Sequence, residues 1–255
     1  MKDALQHFFE LLVAMTEREL KARYKTTAFG FVWLVANPFL QMLIIGFVFT
    51  FIIREPVEHY YFFLFIGLLV WNFFSTSLTK ATPSIVYERS LIKKAKFPHA
   101  IIPLSIVFSN LIHFLLALVI FLVPLSFLGH LSGSSALPAA LAVIFLTLFT
   151  TGLSLVSSAL NVRYRDIAFF TQAFLIIWFY ATPILYALTM IPRNILWLWR
   201  FNPMTSILQL LQKAFLGLPG PGPAMLTSNI GVIAVTLAVG ILLFRRTSRF
   251  FDDWL

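Results

Sequence analysis

"FPHAIIPLSIVFSNLIHFLLALVIFLVPLSFLGHLSGSSALPAALAVIFLTLFTTGLSLVSSALNV", residues 97–162, contains no Asp, Glu, Lys or Arg. A helix needs about 20 apolar residues to cross the hydrocarbon of a bilayer, and this run is roughly three times that long. Its middle reads Gly129-His130-Leu131-Ser132-Gly133-Ser134-Ser135 ahead of Pro138, a cluster of turn formers that interrupts any continuous helix. Two spans follow, at 101–128 and 137–160. Charge-free stretches elsewhere in the chain predict four more, at 31–53, 60–80, 167–189 and 224–244.

Composition points the same way. The chain is 60% hydrophobic and 11% charged, with a mean hydropathy of +0.89 and 29 Phe against 10 acidic residues, which leaves too little polar surface for a soluble domain. The expected fold class is an all-α integral membrane protein, with residues 1–255 forming a single transmembrane domain. Lack of cysteine excludes disulfides and thiolate metal sites.

The placement of the cations sets the expected orientation. With the amino terminus in the cytoplasm, only Arg54, Arg193, Arg200 and Lys213 of the 19 basic residues fall outside. This is the asymmetry expected when Lys and Arg are retained on the cytoplasmic side. Both termini are then cytoplasmic, as is the loop "ERSLIKKAKFPHAIIP" at 88–103, where Arg89, Lys93, Lys94 and Lys96 precede Phe97-Pro98. Residues 193–213, within the outer segment 190–217, are apolar enough to suggest a seventh crossing. They contain Arg200 and the Asn202-Pro203 break, and a seventh span would put Arg245 and Arg246 outside. Short helices lying in or dipping into the outer interface are expected instead, with Trp197 and Trp199 at the headgroup level.

Residues 1–28 do not read as a signal peptide, because Glu10, Glu17 and Glu19 interrupt any apolar core. At 100° per residue, Leu5, Phe8, Phe9, Leu12, Val13, Leu20 and Tyr24 gather on one side of a helix, opposite Glu10, Glu17, Arg18, Lys21 and Lys25. An interface helix on the inner leaflet is expected, with Glu19 and Arg23 paired at i,i+4. Asp166 is expected to cap the helix that follows it and to pair with Arg163 or Arg165.

No G-x-x-x-x-G-K-[ST] loop, H-E-x-x-H or G-x-S-x-G is found in the chain. No acidic or basic residue lies well inside a span, which argues against a proton relay or an ion-coupled transporter. His113 is the titratable group deepest in a span, and packing is its expected role. The intramembrane polar residues are neutral; Gly152 and Ser154 suit close helix packing. A transport subunit rather than an enzyme is expected, with no catalytic residues and no metal site. A membrane transferase acting on lipid-linked sugars would need placed acids that are scarce here.

Several stretches together resemble one family. Arg18-Glu19-Leu20-Lys21-Ala22-Arg23-Tyr24 followed by Gly30, Trp33 and Pro38, then Leu91-Ile92-Lys93-Lys94 with Phe97-Pro98 and Pro103, "LNVRYRD" at 160–166, "TPILY" at 182–186 and Asn202-Pro203 occur in family order. They resemble the membrane subunits of type-2 ABC exporters, the polysaccharide and O-antigen export permeases. The resemblance implies that 86–98 is a cytoplasmic coupling helix. In it Glu88, Arg89, Leu91, Ile92, Lys93, Lys94, Phe97 and Pro98 would dock on a separate ATPase subunit, present in two copies, which binds ATP and Mg. It implies supporting roles for Arg163, Arg165 and Asp166 in a cytoplasmic loop, and for Arg18, Lys21, Arg23 and Tyr24 in the interface helix. It further implies a homodimer in a bacterial inner membrane moving a lipid-linked polysaccharide. Trp33, Phe39, Phe47 and Phe51 on the first span, with Trp178 and Tyr180 on the fifth, are the candidates for lining the conduit. Export of a small hydrophobic molecule by the same architecture is the rival reading.

Overall fold

A computed structural model describes residues 2–24, 32–53, 59–95, 97–127, 136–192 and 194–254. Lys25, Gly30, Arg54, Lys96, the 129–135 turn and Arg193 lie outside the described residues, as do the side chains of Arg23 and Tyr24. The described residues are helical with no strand: α1 (Lys2–Tyr24), α2 (Val32–Val48), α3 (Tyr60–Tyr87), α4 (Arg89–Lys94), α5 (Ile101–Phe127), α6 (Ala136–Arg163), α7 (Ile167–Tyr180), α8 (Pro203–Leu216), α9 (Pro223–Thr247) and α10 (Phe251–Trp254). α2 runs on into a π-helical turn, Phe49–Ile53, and short 3-10 turns occupy Leu188–Met190, Leu196–Phe201 and Ser248–Phe250. Four helices, α3, α5, α6 and α9, are long and apolar enough to cross a bilayer, and α2 and α7 carry shorter apolar stretches.

The bundle is organised around α3. Its most apolar window is 72% buried, against 17% for α9, so α3 is the central post and α9 a peripheral one. The α3 rings supply much of the core: Phe74 stacks parallel on Phe149 of α6 at 5.7 Å, and Phe65 stacks on Phe121 of α5 at 4.7 Å. α6 and α9 make the closest helix pair, because neither backbone carries a side chain at the crossing. A Cβ on Gly240 would lie 2.5 Å from the Gly152 carbonyl oxygen, and one on Gly152 would lie 2.9 Å from the Leu237 Cα. Without water to drive apolar association, such backbone proximity provides the dispersion contact that holds two helices together. Gly152 and Ser154 are both buried, as a packing role requires. His113 is buried on α5 close in sequence to Ser109 and Asn110, which are also buried.

One expectation is corrected here. The fifth apolar stretch was expected to be helical as far as residue 189, but α7 stops at Tyr180. Pro183 has no N–H for a further turn and disfavours helical backbone at Thr182 before it. At 14 residues α7 is about 21 Å long, short of the ~30 Å hydrocarbon layer. The apolar side of α1 is wider than the strip that packs on the bundle. Leu12 and Thr16 are buried and α1 lies along α5, whereas Phe9 and Val13 point outward, 55% and 64% exposed.

α8 has complete start and stop signals. Pro203 stands at its first turn, the Asn202 side chain accepts a hydrogen bond from the Met204 N–H at 3.2 Å, and Gly217 ends it with φ +68°. Most of α8 is buried against α6, α3 and α9, with Met204, Ile207, Leu208 and Leu211 fully enclosed.

Candidate coupling face

α4 is too short to be stable alone and is held by its neighbours. Ile92 is buried in a small apolar cluster with Ile85 of α3, Ile102 of α5, Leu155, Ala159 and Val162 of α6, Phe244 of α9 and Phe251 of α10. Met15 of α1, Phe97 and Trp254 border the same cluster. The carboxyl ends of α3, α6 and α9 and the amino end of α5 therefore meet at one end of the bundle. Arg89, Lys93, Lys94, Arg163, Arg165, Arg245, Arg246 and Arg249 all belong to the segments gathered there. The opposite end is marked by Tyr60, whose hydroxyl donates to the Leu185 carbonyl at 2.8 Å, and by Ser228, which donates to the Arg200 carbonyl at 2.8 Å.

The eight residues expected to dock a partner divide between two faces. Arg89, Lys93, Lys94 and Pro98 are exposed, Glu88 and Leu91 are half-buried, and the two largest apolar members turn inward. Ile92 is 4% exposed in the cluster, and Phe97 sits edge-on to His99, which stacks on Phe251. Ile92 therefore anchors α4 to the bundle, its side chain enclosed among the neighbouring helices. Lys93 and Lys94 occupy the last turn, where positive charge is favoured by the helix dipole.

Arg18 ties the interface helix to this region. Its guanidinium pairs with Glu88, at the junction of α3 and α4, and with Glu19 at 3.3 Å. Desolvation would lower the Arg18 pKa, but hydrogen bonds and attraction from Glu88 and then Glu19 outweigh it, so Arg18 holds its proton more firmly than usual. Glu19 thus pairs with Arg18, its sequence neighbour. Lys21 is exposed and pairs with Glu17 at 2.6 Å, which draws the Glu17 carboxyl below its ordinary pKa.

The 163–166 turn differs from its expected chemistry. Asp166 is exposed, its side chain makes no capping hydrogen bond, and neither Arg163 nor Arg165 lies within ion-pair distance of it. The cap comes from Asn161, a buried residue of α6 whose side-chain oxygen accepts the Ala168 N–H at 3.1 Å. Asp166 has helical backbone angles, φ −67° and ψ −17°, while a capping residue needs extended ones. Arg163 instead lies over the Trp254 ring, 5.4 Å from its centroid, and over Tyr164 at 5.3 Å. Arg165 is exposed.

The lining candidates also separate. Trp33, Phe39, Phe47 and Phe51 are 45–65% exposed, and Tyr180 is 63% exposed. Trp178 is drawn inward. It meets Phe74 edge-on at 5.2 Å, Phe149 at 5.8 Å and Phe174 at 5.1 Å, and its indole N–H donates to Asn202 Oδ1 at 3.1 Å. Asn202 Nδ2 in turn donates to Thr182 Oγ1 at 3.1 Å. A single amide thus caps α8, satisfies a half-buried indole and joins "TPILY" to Asn202-Pro203. No local sequence rule pairs residues 20 and 24 positions apart, so this junction is legible only in three dimensions.

Among the described residues no group of three or more His, Asp or Glu converges as a metal site would require. Residues 10–216 match the ABC-2 type transporter family. The chain is 36% identical over 246 residues, 95% of its length and 91% of the relative's, to an O-antigen export system permease protein RfbA of Klebsiella pneumoniae. A second Klebsiella pneumoniae RfbA is 36% identical over 219 residues, covering 85% of this chain and 84% of that protein. The Myxococcus xanthus RfbA is 34% identical over 248 residues, 95% of both chains. With an all-helical bundle, several membrane-length apolar helices and a family match over most of its residues, the chain is a multi-pass membrane protein of the ABC-2 type transporter family.

Proposed function

We propose that this chain is the membrane-spanning subunit of an ATP-driven exporter that carries a lipid-linked polysaccharide of the O-antigen type from the cytoplasm across a bacterial inner membrane. The names and near full-length coverage of its relatives support this substrate class. In this reading α2, α3, α5, α6, α7 and α9 are six crossings, α8 is a re-entrant helix on the outer side, and both termini are cytoplasmic. The excess of cations in the segments gathered around Ile92 supports that orientation.

Two copies of the chain would work with two copies of a separate ATPase, which binds ATP and Mg. α2 and α7 expose aromatic and aliphatic side chains around much of their circumference. Such surfaces suit a second copy, with Trp33, Phe39, Phe47, Phe51 and Tyr180 able to stack on sugar rings between the two. Closure of the ATPase dimer would press on α4.

The observation carrying the mechanism is Ile92, because an inward anchor ties α4 to a cluster built from five other helices. The test is co-purification with the cognate ATPase and measurement of polymer-stimulated ATP turnover. Lys93→Glu with Lys94→Glu is expected to lower association at least tenfold with unchanged thermal stability. Ile92→Ala is expected to retain association, lose about 2 to 4 kcal/mol of stability and uncouple turnover from polymer. Wild-type association in the charge-reversed variant would remove α4 as the docking element. Turnover stimulated by hydrophobic drugs and indifferent to polymer would favour the small-molecule reading.

A further inference from the structure

The carboxyl end of α9 carries a surface that the coupling reading does not use. Leu242, Arg245, Arg246 and Arg249 recur at i, i+3, i+4 and i+7, which places them on one side of the helix, with Val239 one turn earlier. Together with Leu243 they line a groove of about 610 Å³. Its walls change character along the helix axis. Val239 and Leu242 are 49% and 63% exposed, and the cations begin directly after Phe244. α9 is also the least buried of the four membrane-length helices, so this side faces outward from the protomer.

The three arginines differ from others at this end of the bundle. Arg18 has Glu88 and Glu19, and Arg163 has the Trp254 ring. No described carboxylate lies within 4.0 Å of Arg245, Arg246 or Arg249. Positive charge in a last helical turn is favoured by the dipole, but that effect is modest and does not account for an apolar wall beside it. A guanidinium presents paired N–H donors matched to phosphate oxygens, and three of them together would repel a headgroup bearing its own ammonium.

We propose that Arg245, Arg246 and Arg249 hold the phosphate of an anionic glycerophospholipid whose acyl chain lies along Leu242 and Val239. A free phosphate would use the cations and leave the apolar wall bare, whereas a lipid uses both. The site rests on the multi-pass placement of α9 and not on the export reading, so it stands whichever substrate the protein carries. Its consequence is a fixed anchor at the membrane boundary for α9, whose end supplies Phe244 to the cluster around Ile92 and leads into α10, which supplies Phe251.

The test uses the full chain purified in detergent, with bound phosphatidylglycerol and phosphatidylcholine counted by native mass spectrometry. Wild type is expected to retain phosphatidylglycerol preferentially. Replacing one cation by glutamine, as in Arg246→Gln, should weaken retention about fivefold, and all three replacements should abolish the preference. Leu242→Asn should weaken retention with the charges intact, while Lys213→Gln, at a distant cation, should change nothing. Size-exclusion profiles identify variants that fail to fold, and the single replacement remains informative if the triple one does. Equal retention of the two lipids, equal loss in Lys213→Gln, or full displacement by millimolar inorganic phosphate would each overturn the proposal.

Discussion

Asn202 shows how much a single half-buried side chain can organise. Its oxygen accepts from the Met204 N–H and the Trp178 indole, and its nitrogen donates to Thr182. Removing an N-cap costs about 1 kcal/mol, and leaving a part-buried indole N–H without an acceptor costs a further 1 to 3. Asn202→Ala is therefore expected to lower stability by about 2 to 4 kcal/mol in a detergent unfolding assay. Asn202→Ser, which keeps the cap and loses the indole bond, should recover part of that loss; an unchanged melting temperature in Asn202→Ala would dismiss the junction. Asn202-Pro203 was visible in the sequence as a break before a helix, because capping is local. Its links to Trp178 and Thr182 were not, since they depend on how the chain returns after α7. For the same reason Asp166 looked like the cap of α7 and Asn161 fills that role.

At the scale of elements, the α6–α9 pair and the α1–α4 link offer contrasting tests. The α6–α9 crossing is backbone on backbone, so there is no flexible side chain to yield. Gly240→Leu should cost at least 1 to 3 kcal/mol and loosen α9, whereas Gly231→Ala, with nothing within 4 Å of its added Cβ, should be nearly silent. Limited proteolysis and thermal unfolding would compare the two. The Arg18–Glu88 pair joins α1 to the start of α4 through side chains that are 44% and 28% exposed. A pair that accessible contributes only about 0.2 to 1 kcal/mol. Its expected importance is positional: Arg18→Glu and Glu88→Arg should each reduce the coupling of ATP turnover to polymer, and the double exchange should restore it. Failure of the exchange to rescue would leave α1 as an anchor without a part in coupling. Spacing at 100° per residue made α1 recognisable as amphipathic, but the choice between Leu12 facing α5 and Val13 facing outward lay in the tertiary packing.

At the scale of the molecule, α2 and α7 leave broad apolar faces that one copy of the chain does not cover. A homodimer meeting through them predicts that Ile44→Cys, on the exposed side of α2, will cross-link between protomers in membranes. A cysteine at Val119, exposed on α5, should not. The native chain has no cysteine, so each replacement gives an unambiguous band. Cross-linking at Val119 but not Ile44 would move the interface away from α2. By itself, the sequence determined the membrane class, the positions of the apolar helices apart from the end of α7, and the asymmetry of charge. Each of these follows from the cost of placing an ion or an unsatisfied backbone group in hydrocarbon, which composition and run length record directly. Tertiary structure alone decided that Ile92 and Trp178 face inward, that Asn161 rather than Asp166 caps α7, and that Gly152 meets Gly240. Those outcomes depend on which helices become neighbours, and in so apolar a chain nearly every helix face is hydrophobic enough to be buried or to meet lipid, so periodicity cannot choose between them.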